Sequence, residues 1–169
     1  MKMKLVYAVG GLVLTGGLFA AQEPAPPQSN YTDSTYGFAI DAPAFPKAGP
    51  GQPGVPVIMS GPAADGFASN VNVNIQQVAT TRKEYLEQSL DQMRQVGLKV
   101  HSTSDVTVSG RDAIRLDYEG TISGRELHFL ALAVIEKDRV VLVTCTALAK
   151  AFKEVEPAFR ASLDSFRLK

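Results

Sequence analysis

Two consecutive segments near the C-terminus constrain the fold of this chain more than anything else in it. Arg125–Glu136 puts Leu127, Phe129, Ala131, Ala133 and Ile135 on one side of an extended chain and Leu130, Leu132 and Val134 on the other. Arg139–Ala147, beyond the turn Lys137-Asp138, is apolar on both sides as well. Successive side chains of a strand point to opposite faces, so neither segment leaves a face for water. Strands of this kind belong in the middle of a sheet covered on both sides.

The neighbouring segments supply the rest of the sheet and its cover. Leu98–Val108 and Asp112–Thr121 read as strands joined by Ser109-Gly110-Arg111, and Ser123-Gly124 turns the chain into Arg125–Glu136. In the second strand Ile114, Leu116 and Tyr118 alternate with Arg115 and Asp117, the period-two pattern of a half-buried strand. Earlier in the chain, Tyr36–Asp41 and Val55–Met59 read as short strands, with Pro43–Gly54 as a loop between them. Val71, Val73 and Ile75 alternate with Asn70, Asn72, Asn74 and Gln76.

Thr81 with Glu84 three residues later is a capping box. Tyr85, Leu86, Leu90, Met93 and Val96 then recur at helical spacing until Gly97, which predicts a helix over Arg82–Val96. A second helix is predicted over about Ala149–Ser162, with Phe152, Val155, Phe159 and Leu163 as its core stripe. Pro157 falls inside it and either kinks it or marks off its first turn. Phe166 and Leu168 pack the C-terminus back onto the domain. Two amphipathic helices and a doubly buried meander give an α+β fold, an antiparallel β-sheet flanked by helices in an α/β/α sandwich.

This domain occupies residues 31–169, and what precedes it is of a different kind. Lys2 and Lys4 lead into Leu5–Ala21, which carries no charge, the layout of an export signal. The run is 17 residues long and includes Gly10, Gly11, Gly16 and Gly17, whereas a membrane-spanning helix needs about 20 predominantly apolar residues. Residues 1–21 therefore fit a cleaved signal better than a permanent span, although the small residues wanted at the cleavage site are imperfectly placed and a retained anchor stays open. Residues 22–30, with Pro24, Pro26 and Pro27, form an extended linker. The reading places the domain outside the cytoplasm, periplasmic or extracellular, with membrane contact only through an uncleaved N-terminus.

Composition then removes function classes. Without residues 1–21 the chain has 15 basic and 17 acidic residues, so it lacks the clustered positive charge that nucleic acid demands. Cys145 is the only cysteine, which excludes an intrachain disulfide, and its apolar surroundings read as those of a buried small hydrophobe.

The order of elements, the opening Tyr36-Gly37-Phe38-Ala39-Ile40-Asp41-Ala42-Pro43, the Asn70-Val71-Asn72-Val73 strand and the closing Thr144-Cys145-Thr146-Ala147, helix, Ser162-Leu163-Asp164-Ser165-Phe166 together resemble the PsbP-like superfamily. This superfamily includes photosystem II accessory proteins and bacterial envelope proteins of the DcrB type. Related openings follow the proline with tryptophan, where this chain has Phe45-Pro46. The resemblance implies the α/β/α sandwich and a structural, binding or accessory role without a shared active site.

The candidate site residues are few. Asn70, Asn72, Asn74 and Gln76 set four amides on one face of one strand. Amides donate and accept hydrogen bonds, so the row suits a sugar, a peptide or a lipid headgroup, or else is a solvated sheet face. His101 and His128 are the only histidines. A metal site built on them needs a carboxylate such as Asp105 or Glu126 to converge on both, and nothing in the spacing forces that, so no metal ligands, cofactor or catalytic residues are assigned. His101-Ser102-Thr103-Ser104-Asp105 holds the residue types of a hydrolytic triad, but neighbours along a strand face opposite ways. Gly49-Pro50-Gly51-Gln52-Pro53-Gly54 matches G-x-G-x-x-G without the helix that would receive a phosphate. The expectation is a non-catalytic binding or accessory module of the cell envelope whose partner is an envelope protein or small ligand. The alternatives are a photosynthetic accessory subunit, if the host has thylakoids, and a small envelope hydrolase or metal-binding protein.

Overall fold

The computed structural model describes residues 31–169 apart from positions 42, 44, 46 and 50; the export segment 1–21 and the linker 22–30 lie outside the described residues. The main sheet has seven strands: β3 (Lys47–Gly49), β4 (Val57–Ala64), β5 (Phe67–Gln76), β6 (Lys99–Val108), β7 (Arg111–Ile122), β8 (Arg125–Ile135) and β9 (Val140–Leu148). Their spatial order is β3-β4-β5-β9-β8-β7-β6, and every pairing is antiparallel. The two strands that read as apolar on both faces, β8 and β9, lie in the interior of this sheet. A smaller sheet joins β1 (Tyr31–Asp33), β2 (Phe38–Ile40) and β10 (Arg167–Leu168) in the order β1-β2-β10. Through it Phe166 and Leu168 return the C-terminus to the core.

One helix covers each face of the large sheet. Helix α1 (Arg82–Gln95) presents Tyr85 and Met93 to a core layer with Ile114, Leu116, Tyr118, Phe129, Ala131, Ala133 and Leu142. Helix α2 (Phe152–Ser165) presents Phe152, Phe159 and Leu163 to the other layer, with Val71, Val73, Leu130, Leu132, Val141, Val143 and Cys145. The α+β sandwich read from the sequence is therefore the observed architecture.

The ends of α1 are set by local chemistry. The Thr81 hydroxyl accepts from the Glu84 backbone N–H while the Glu84 carboxylate accepts from the Thr81 backbone N–H, which satisfies donors the first turn leaves without partners. At the other end Gly97 adopts φ +75°. Gly97 N–H then reaches the Arg94 carbonyl, and Leu98 N–H the Met93 carbonyl. This is the double bond of a Schellman motif, and it delivers Leu98 into the α1-side core.

Gly120 is where that entry is tightest. A Cβ there would stand 2.5 Å from Leu98 Cδ2 and 3.3 Å from Leu98 Cα. Gly120→Ala should cost about 1–3 kcal/mol through overpacking. Urea unfolding measures it, and an unchanged midpoint would show that Leu98 moves aside freely.

The structure refines several sequence boundaries. The Pro43–Gly54 loop contains the short edge strand β3, and β4 starts just after Pro56, where the missing proline N–H costs no ladder bond. The segment before the second helix is a 3-10 turn over Ala149–Ala151, followed by α2. Pro157 sits inside α2 on its exposed side, where water can reach the carbonyl that lacks its helical partner. The formal G-x-G-x-x-G stretch leads into strand β4 and meets no helix.

Candidate functional site

The two histidines come together. The turn Ser123-Gly124, with φ of +51° and +77°, joins β7 to β8 as a two-residue hairpin. Such a hairpin fixes the register. Glu119 consequently lies directly opposite His128, and Asp117 opposite Leu130. All three polar side chains emerge on the α2 side of the sheet. His128 Nε2 lies 2.7 Å from Asp117 Oδ1, and His128 Nδ1 lies 3.8 Å from Glu119 Oε2. An ionised carboxylate only accepts hydrogen bonds, so His128 donates its Nε2–H to Asp117 and turns Nδ1 toward Glu119. Arg160 of α2 stands 3.7 Å from the other Asp117 oxygen. Phe152, also of α2, stacks on the His128 ring at a centroid distance of 3.6 Å and an angle of 7°.

His101 arrives from the edge strand β6 by an irregularity. Val108 pairs with Arg111 and Ser102 with Asp117, but Val100 pairs with Tyr118. One residue, His101, is inserted between Ser102 and Val100, which is a β-bulge, a device that re-aims a side chain. His101 Nε2 lies 3.2 Å from Glu119 Oε1, and its ring stacks on that of His128 at 5.4 Å and 15°. Lys99 Nζ is 3.5 Å from the same Glu119 oxygen. The hydrogen bond from His101 holds the Glu119 carboxyl below the usual carboxylate range, with the charge of Lys99 adding to the effect. His101, Glu119 and His128 together offer three ligand atoms within 4.8 Å of one another. Beside Glu119 a solvent-open depression of about 300 Å³ runs between Lys99, Gly120, Thr121 and Glu126.

The carboxylates nominated from sequence are not those that converge. Asp105 lies opposite Ile114, on the α1 side of the sheet, where it pairs with Arg82 at 3.2 Å. Glu126 is exposed and lies opposite Thr121. The carboxylates that face His128 are instead Asp117 and Glu119, and the register dictated by Ser123-Gly124 places Glu119 directly opposite His128.

The amide row lies on the opposite side of the sheet. Strand β5 pairs Asn70 with Thr146, Asn72 with Thr144, Asn74 with Leu142 and Gln76 with Val140. Asn72 and Gln76 are buried, whereas Asn70 and Asn74 are partly exposed. Gln76 Oε1 accepts a hydrogen bond from the Tyr85 hydroxyl of α1 at 3.0 Å, so this amide ties the helix to the sheet. Asn72 donates to Asn70 Oδ1 at 3.5 Å. The neighbouring Thr144 hydroxyl is buried without a hydrogen-bond partner, an unusual state for a buried polar group.

No family model matches the sequence, and no curated protein matches it either. Solved structures do. The chain is similar to cyanobacterial PsbP (CyanoP) from Synechocystis sp. PCC 6803, with a TM-score of 0.65 and 15% identity over 90% of this chain and 99% of that one. It is similar to LpqN of Mycobacterium tuberculosis, a protein involved in cell envelope biogenesis, with a TM-score of 0.59 and 11% identity over 88% and 86% of the two chains. It is also similar to PA94, a protein of unknown function from Pseudomonas aeruginosa, with a TM-score of 0.57 and 21% identity over 64% and 78%. The helix–sheet–helix architecture of this chain is the PsbP-like fold.

Proposed function

We propose that this protein is an exported, non-catalytic accessory module of the cell envelope that binds a protein or small polar ligand. The observation that carries this reading is the extent of the fold match, which takes in nearly all of this chain and nearly all of two proteins, one a PsbP and the other involved in envelope biogenesis. A fold alone does not fix an activity, and the export segment read from residues 1–21 supplies the compartment. The amide row supports a binding surface, because Asn70 and Asn74 are partly exposed and their amides can both donate and accept hydrogen bonds.

Crosslinking and co-purification of the full-length protein from its native envelope, with mass spectrometry of the captured proteins and of the mature N-terminus, tests the reading. A reproducible envelope partner and an N-terminus near residue 21 are expected. A cytoplasmic protein carrying its initiator methionine would overturn it.

The amide row separates into two roles under mutation. Asn70→Ala with Asn74→Ala should lower partner capture and leave the unfolding midpoint nearly unchanged. Gln76→Ala should instead destabilise the fold by about 0.5–1.5 kcal/mol, the usual worth of one intramolecular hydrogen bond, as read by chemical denaturation. Full partner capture by the Asn70/Asn74 variant would remove the row from the binding surface.

A further inference from the structure

We infer that His101, Glu119 and His128 form a binding site for one divalent transition-metal ion of the zinc class, open to solvent at its fourth position. The inference stands apart from the envelope reading, because it rests on side-chain chemistry that the fold match does not address. Two imidazole nitrogens and one carboxylate oxygen are the three-ligand set that zinc uses when a water completes a tetrahedron, with metal–ligand distances of about 2.0–2.2 Å. Ligand atoms around such an ion stand a little over 3 Å apart; here His101 Nε2 is 3.2 Å from Glu119 Oε1, and one ligand atom from each of the three residues falls within 4.8 Å of the others. Rotation of the His101 side chain closes the set. An all-oxygen cage, which calcium and magnesium require, is not what these residues offer.

Three features mark the cluster as built for an ion rather than as a chance encounter of surface charges. First, Asp117 accepts the Nε2–H of His128 at 2.7 Å. A carboxylate on the far nitrogen of a ligating histidine fixes its tautomer and raises its basicity, and here it leaves Nδ1 as the free donor facing Glu119. Asp117 is in turn backed by Arg160, and Phe152 covers the inner face of the His128 ring. His128 is thus the fixed arm of the site. Second, the β6 bulge places His101 on this side of the sheet. Third, the His101 and Glu119 side chains are partly exposed, so an ion and its water reach them from solvent.

The arrangement also says what must move. The two imidazole rings lie within 15° of parallel, and a metal ion lies in the plane of each ring it binds. His101 therefore has to turn out of the stack, which its partly exposed side chain on an edge-strand bulge allows. Its Nε2 proton, now shared with Glu119, passes to Nδ1, and the ion takes the proton's place between Nε2 and the carboxylate. Lys99, largely exposed, swings away from Glu119.

The test is zinc titration of the tag-free, chelator-washed protein by calorimetry, with cobalt substitution followed by visible absorption. One ion per chain is expected, together with the strong d–d bands of four-coordinate cobalt. His101→Ala, at the exposed edge, should weaken zinc binding at least tenfold without disturbing the fold, and Glu119→Gln should do likewise. Asp117→Asn acts through His128 and should cost about 10–100-fold in affinity while shifting the cobalt spectrum, which a merely structural residue would leave alone. NMR of the His101 ring protons should report loss of the stack on zinc addition. A stoichiometry well below one, or wild-type affinity in both the His101→Ala and Glu119→Gln proteins, would overturn the site.

Discussion

Phe159→Ala should strip about 3–5 kcal/mol from the stability of this protein, the range for truncating a buried phenylalanine and leaving a cavity. Phe159 is fully buried in the α2-side core. Its ring meets Phe45 edge-on at 6.1 Å, and its backbone carbonyl lies 3.9 Å from the Cys145 sulfur. Helix α2 lies across interior strands that cannot shift without breaking ladders on both sides, so the cavity has little room to collapse. Domains of this size are stable by about 5–15 kcal/mol, so the variant loses a large share of its stability and its urea midpoint falls sharply. A loss under about 1 kcal/mol would mean that α2 repacks and that the layer is looser than its burial indicates.

The second large effect concerns Cys145. Its side chain is fully buried on β9, and burial pushes its thiol well above the ordinary range, because the thiolate would lose its hydration among apolar neighbours. The thiolate is the reactive form. Labelling of the native protein by a thiol reagent should therefore be at least ~10³-fold slower than labelling of the urea-unfolded chain, since the reagent must wait for opening against the folding free energy. The two predictions are coupled. Because each 1.4 kcal/mol is worth a factor of ten, Phe159→Ala should speed labelling by roughly 10² to a few times 10³. Native labelling at the unfolded rate would reveal an accessible thiol and reopen a redox role for the residue.

Much of the fold was legible because it is locally encoded. The capping box at Thr81 and Glu84 and the positive φ at Gly97 delimit α1 through bonds made within a few residues of each other. The alternation in Asn70–Gln76 and Asp112–Thr121 announced half-buried strands, and the unbroken apolar runs of β8 and β9 announced interior ones. The pairing of β5 with β9 was not legible, since these strands are separated in sequence by α1 and three other strands and only burial of a common core selects their register. Gln76 shows the same limit within the amide row. Its position on an alternating strand was evident, but its bond to Tyr85 depends on where α1 lands.

For the candidate site the division falls between two hairpins. The Ser123-Gly124 turn alone determines that Glu119 faces His128, because a two-residue turn fixes register by counting outward. Counting outward from Ser109-Gly110 in the same way sets His101 opposite Tyr118, on the α1 side, away from His128. The tertiary structure overrules that count. Val106 and Val108 pack against the α2-side core, while Val100, an even number of residues before them, packs against the α1-side core. A regular strand shows one face to residues an even number apart, so β6 serves both layers only by taking in one extra residue between Val100 and Ser102. That residue is His101. The sequence by itself determined the sandwich, the caps and the facing of Glu119 and His128; the demand of two hydrophobic layers on a single edge strand decided that His101 would join them.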